Sequence, residues 1–221
     1  MQEIPSLAQL YAAVKARLSG AEAAHDWAHA RRVYEAALAI ARGEGYAGEL
    51  FPLGAAALLH DVADHKFVPE RQERKRVVFG ILWAHGVEDG LAEEVFLATE
   101  EVSFSQNRGE SAPPGELVRI LRDADRLDAL GAMGIARTFS YGGRLGRPLV
   151  AESGEAPGDI DHFFEKLLLL KDGLYTRAAK ALAAERHAFL LEFLRRFFTE
   201  YYGAEEGLRR LEEKLAEMGE K

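Results

Sequence analysis

The stretch that decides the fold is Leu58-Leu59-His60-Asp61-Val62-Ala63-Asp64-His65-Lys66, which closes an apolar run beginning at Leu53. A run such as residues 53–59 belongs in a protein core. The His-Asp pair at its end brings two ionisable side chains into a low-dielectric place. A charge without a partner is costly there, and a divalent cation is one partner that satisfies both groups. The dipeptide alone fits better a helix that surfaces at His60, with solvated polar residues after it. The rest of the chain separates these alternatives.

Outward from this stretch, nearly every segment has helical periodicity. Ser6 reads as an N-cap for residues 7–18, with Leu7, Leu10, Tyr11, Val14 and Leu18 on one face and Gly20 as the stop. Asp26 caps a helix that runs to about Gly43, and a third helix covers about residues 50–62. Pro69 suits the first turn of a helix that ends at Gly86, and another follows over about 88–102. Pro113-Pro114 breaks the chain, and residues 115–140 carry one or two more helices. Residues 141–159 have no period and many Gly and Pro, which predicts one long loop of the lid or disordered kind. Helices resume over 160–171, 175–202 and 204–218. No strand-like alternation or internal repeat is present. The expectation is an all-α chain forming a single domain over 1–221, with a core at about 21–140, the loop, and C-terminal helices at 160–219.

The chain has 221 residues, 48% of them hydrophobic, enough to bury a sizeable core. Its net charge of −8 gives no overall basic field to attract a nucleic acid polymer or an anionic membrane. There is no cysteine, so disulfides and thiolate metal sites are excluded. The amino terminus lacks a signal-peptide layout and no apolar run approaches about 20 residues, so a cytoplasmic protein is expected.

Two further stretches carry chemistry. Upstream lies His25-Asp26-Trp27-Ala28-His29, followed by Arg31-Arg32-Val33; downstream lies Arg122-Asp123-Ala124-Asp125-Arg126-Leu127-Asp128-Ala129-Leu130-Gly131. With His60-Asp61, the order along the chain is His, His-Asp, Asp. Each places a metal-capable residue within or beside a hydrophobic helix. Successive helical residues point about 100° apart, so His60 and Asp61 can share an ion only if it lies between their side chains.

This pattern resembles the HD-domain metal-dependent phosphohydrolase superfamily, all-helical proteins with the ordered signature His…His-Asp…Asp. His25-Asp-Trp-x-His29 and the run from Asp123 through Phe139 resemble, more narrowly, the small stand-alone bacterial members of the YedJ/YpgQ type. The resemblance implies that His29, His60, Asp61 and Asp125 ligate a metal. It implies that Asp64, in the position where related enzymes keep a carboxylate, handles protons or positions water; a cap or an ion pair with Lys66 is the structural alternative. Lys66, His25, Arg32, Arg137 and Lys171 are candidate substrate contacts, each with a solvated, capping or packing role as its structural alternative. Arg144 and Arg147 could close over a polyphosphate.

Two-metal relatives supply extra histidines before the last Asp. This chain offers only His65 and His85, and Val102 stands where close relatives are expected to have His, which favours one ion. Mn2+ is preferred, with Fe2+, Co2+, Ni2+, Zn2+ or Mg2+ open. The expected partner is a small phosphate ester, a nucleotide, hydrolysed as a triphosphate to monophosphate and pyrophosphate. Loss of phosphate from a nucleoside 5′-monophosphate and a non-catalytic nucleotide-binding module are the alternatives. Leu208, Leu211 and Leu215 fit packing either on the core or on a second copy as a homodimer.

Overall fold

The computed structural model describes residues 6–18, 27–63, 68–102, 115–151 and 156–219. Among these it contains α-helices and one 3-10 segment, and no strand. No described helix is long and apolar enough to cross a membrane. The chain forms two compact units, residues 1–125 with 175–179, and residues 126–174 with 180–221.

The first unit is built on α3 (Leu50–Leu59), in which every residue from Pro52 to Leu59 is buried. A helix apolar all round needs cover on every side. α1 (Leu7–Leu18), α2 (Trp27–Glu44) and α5 (Asp89–Glu100) provide it, and α4 (Arg71–Trp83) packs on α5. Gly54 permits the close approach: a Cβ there would lie 2.9 Å from Leu7 and 3.1 Å from Tyr34. Full burial of Leu53, Leu58 and Leu59 contributes about 1.5–3 kcal/mol each. α2 covers α3 with Ala30, Val33, Ala37, Ile40 and Ala41, the stripe its sequence period dictates.

The helix expected over 50–62 stops at Leu59. The Val62 amide bonds to Leu59 O at 3.0 Å, a turn rather than a continuing helix. His60 Nδ1 lies 2.9 Å from Ala57 O and satisfies a carbonyl that a helix end leaves without an intrahelical partner. α4 begins two residues after Pro69, with Glu70 O accepting from the amides of Glu73 and Arg74. Its last regular turn ends at Trp83, and the turn that follows is closed by Gly86, the expected stop, whose φ of 73° is left-handed. The expected caps and stops at Gly20 and Asp26 lie outside the described residues. α6 (Glu116–Asp128) carries the third motif.

In the second unit, α7 (Gly131–Arg144) runs four residues into the stretch expected to be loop. Gly142 there is a contact rather than a breaker: a Cβ on it would sit 1.8 Å from the buried Asp159 carboxylate. After α8 (Asp161–Glu165) the chain turns at Lys166, with φ of −139°, into a 3-10 segment (Leu167–Gly173), splitting the helix expected over 160–171. α9 (Arg177–Tyr202) supplies Phe193, which stacks on Phe163 of α8 and meets Phe139 of α7 edge-on, and Phe197, which stacks on Phe139. α10 (Ala204–Gly219) returns to α8, where Lys214 Nζ lies 2.7 Å from Asp161.

Two outcomes follow. Gly142→Ala should cost about 1–3 kcal/mol in urea unfolding by overpacking Asp159. Gly143→Ala, with nothing within 4 Å of its Cβ, should be neutral or slightly stabilising. Burial, then Lys166 and Arg147, pulls His162 down to about 4. The unfolded chain thus binds a proton between pH 6.5 and 4 that the folded chain refuses, so stability falls as pH drops through that window. The loss should be about 2 kcal/mol after screening is allowed for, and His162→Gln should flatten the profile.

Candidate metal centre

His29 joins the inward stripe of α2, four residues before Val33, and is 2% exposed. His60 follows the last residue of α3, where the turn swings its ring toward α2, and Asp61 comes next. Asp125 lies on α6 between the buried Ala124 and Arg126. All four belong to the first unit.

Their donor atoms converge. His29 Nε2 lies 3.2 Å from His60 Nε2, 3.2 Å from Asp61 Oδ2 and 3.4 Å from Asp125 Oδ1. His60 Nε2 lies 3.6 Å from Asp61 Oδ2 and 3.9 Å from Asp125 Oδ1. Donors of His29, His60 and Asp125 all fall within 4.8 Å of one another, and Asp61 contacts both imidazoles. Metal–ligand bonds of about 2.0–2.2 Å put adjacent donors of a tetrahedral or octahedral shell about 3.0–3.5 Å apart. Most of these spacings fall at or just beyond that range.

The protonation pattern points the same way. His60 Nδ1 faces a carbonyl and therefore carries its proton, which leaves a lone pair on Nε2. That lone pair and two carboxylate oxygens surround His29 Nε2. One N–H can serve only one of the three. An electron-rich set of this kind requires added positive charge, and a divalent ion supplies it. Burial alone would raise Asp125, but hydrogen bonding to His29 and the positive charge of His60 and His29 when those rings are protonated outweigh it and hold the carboxyl below its ordinary value. Its side chain remains 29% exposed and Asp61 11%, so the cluster has a solvent-facing side by which a ligand could arrive.

Other expected site residues are placed differently. His25, Asp64 and Lys66 lie outside the described residues. Arg32 is half-buried on α2, one turn beyond His29. Arg137 donates to the buried Asp128, and Lys171 is exposed in the 3-10 segment; both are in the second unit. His85, a weak candidate for a second ion, places Nδ1 2.8 Å from Ile81 O near the end of α4. Sequence reasoning passed over Arg122 and Asp123, both 0% exposed. The available signal was a charged run interleaved on one helix with the core residues Leu121, Ala124 and Leu127.

The HD domain family model matches residues 26–130, which span all three motifs. YpgQ of Bacillus subtilis, an uncharacterized protein, is 38% identical over 197 residues, covering 88% of this chain and 93% of its own. The crystal structure of YpgQ in complex with ADP superposes with a TM-score of 0.71 at 32% identity, over 90% of this chain and 100% of that one. An HD-superfamily hydrolase from Bacillus thuringiensis superposes with a TM-score of 0.70 at 36% identity, over 88% and 96% of the two chains. Sequence, helical architecture and the His/His/Asp cluster agree, and the chain belongs to the HD-domain family as a YpgQ-like member.

Proposed function

We propose that the protein is a divalent-metal-dependent phosphohydrolase acting on a nucleotide, with cleavage of a nucleoside triphosphate to monophosphate and pyrophosphate as the preferred reaction. The observation that carries this reading is the convergence of His29, His60, Asp61 and Asp125 donors at 3.2–3.9 Å. ADP in the YpgQ crystal structure supports the nucleotide class. A divalent ion held by these side chains would supply Lewis-acid polarisation of a phosphoryl group and acidify water beside it. Mn2+ suits the mixed imidazole and carboxylate set, as do several other divalent ions.

The chain's own residues would do the rest. His60, locked by Ala57 O, presents its lone pair in one fixed direction. Asp64 would accept the proton of the attacking water, and Lys66, His25 and Arg32 are the candidate holders of phosphate oxygens. Water would add to phosphorus, pyrophosphate would leave with the bond electrons, and the water proton would pass to the carboxylate. Arg137 is a weaker candidate because Asp128 engages it. Lys171 stays in the candidate set only as an exposed cation of the second unit.

Chelator-stripped protein should recover activity on adding Mn2+ to a nucleotide panel, with pyrophosphate as the product from triphosphates. Asp61→Ala should lower kcat/KM at least about 1,000-fold, because it removes a candidate ligand. Phosphate release from monophosphates alone would favour the phosphatase alternative. Nucleotide binding by calorimetry without turnover would favour the non-catalytic one. If no nucleotide reacts with any divalent ion, the enzyme reading fails.

A further inference from the structure

Two residues before Asp125 on α6, Asp123 is buried at 0% exposure, and none of the chemistry above uses it. Its carboxylate receives the first turn of α9. Tyr175 N donates to Oδ1 at 3.0 Å and Oδ2 at 3.1 Å. Thr176 N and Thr176 Oγ1 both donate to Oδ2 at 2.7 Å. Thr176 Oγ1 in turn accepts from Ala179 N at 3.3 Å, so Thr176 is the N-cap of α9 and Asp123 holds that cap. The positive end of the helix dipole meets a buried negative charge, which makes the anchor strong and directional. Neighbouring Arg122, also 0% exposed, adds tethers from Nε to Glu101 O at 2.5 Å and from Nη1 to Tyr175 Oη at 3.2 Å.

Residues two apart on a helix point about 200° from each other, so Asp123 and Asp125 project from nearly opposite sides of α6. Fixing the back of the helix fixes its roll. A roll of about 10° would carry a carboxylate about 6 Å from the axis through about 1 Å. Metal–ligand distances tolerate only about 0.2 Å. We propose that Asp123 is a positioning residue: by gripping Tyr175 and Thr176 it sets the roll of α6 that aims Asp125 at His29 and His60. The proposal rests on the metal reading above and assigns a role to a residue outside the ligand set.

The test compares full-length wild type with Asp123→Asn, Thr176→Val and Thr176→Ser. Each is stripped with chelator and titrated with Co2+, followed by its visible d–d absorption, and with Mn2+ by calorimetry. Asp123→Asn turns an amide toward N–H donors and should weaken both ions about 10–100-fold while altering the Co2+ band shape. Thr176→Val deletes the hydroxyl's bond to Asp123 and the cap bond from Ala179 N but keeps the two backbone amides on Asp123, so it should fold even if Asp123→Asn does not. It should weaken binding about 3-fold, and Thr176→Ser should restore it. A purely structural anchor would lower Tm but leave the Co2+ spectrum of the folded protein unchanged. Wild-type affinity and spectrum in folded Asp123→Asn or Thr176→Val overturns the role of Asp123 and leaves the metal centre standing. A wild type that binds neither ion overturns both.

Discussion

Three lone-pair acceptors crowd one imidazole nitrogen at His29, and that electrostatic debt organises the first unit. Acceptors this close repel one another unless positive charge sits among them. A helical core could avoid the conflict with an apolar residue at each place, as it does at every other buried position of α2 and α3. Keeping the cluster means accepting a local instability that binding relieves. For such a site, ligand affinity and fold stability are linked, because an ion that binds only the folded chain stabilises it.

Two devices hold the cluster in place. The first is α3, whose burial from Pro52 to Leu59 fixes the height and rotation at which His60 and Asp61 emerge. The second is the back of α6, where Arg122 and Asp123 are tied to Glu101, Tyr175 and Thr176. A buried carboxylate receiving three donors is a costly element to keep and a rigid one once made. The pair differ in kind: α3 is held by apolar packing, which is tolerant in detail, and α6 by directional bonds, which are not.

Much of this was legible in the residues. The helical period gave most helices to within one or two residues, and the glycine stop at Gly86 is where it was expected. The metal-capable side chains that converge are those the ordered motif indicates. What could not be read was tertiary in origin. The end of α3 at Leu59 depends on an imidazole reaching back to Ala57 O. Gly142 lies inside α7 because Asp159 occupies the space a side chain would take, a contact with a residue 17 positions away in sequence. Asp123 sits among other charged residues in its stretch, and nothing local announces that its partner amides lie at Tyr175 and Thr176.

The burial of α3 on all sides from Pro52 to Leu59 constrains how such a protein can diversify. A helix with one free flank can accept surface substitutions independently, whereas drift in α3 must be matched by simultaneous change in α1, α2 or α5. Innovation in what the molecule recognises is therefore channelled away from the scaffold that presents His60 and Asp61. It falls to segments that are free to vary without disturbing a shared interior.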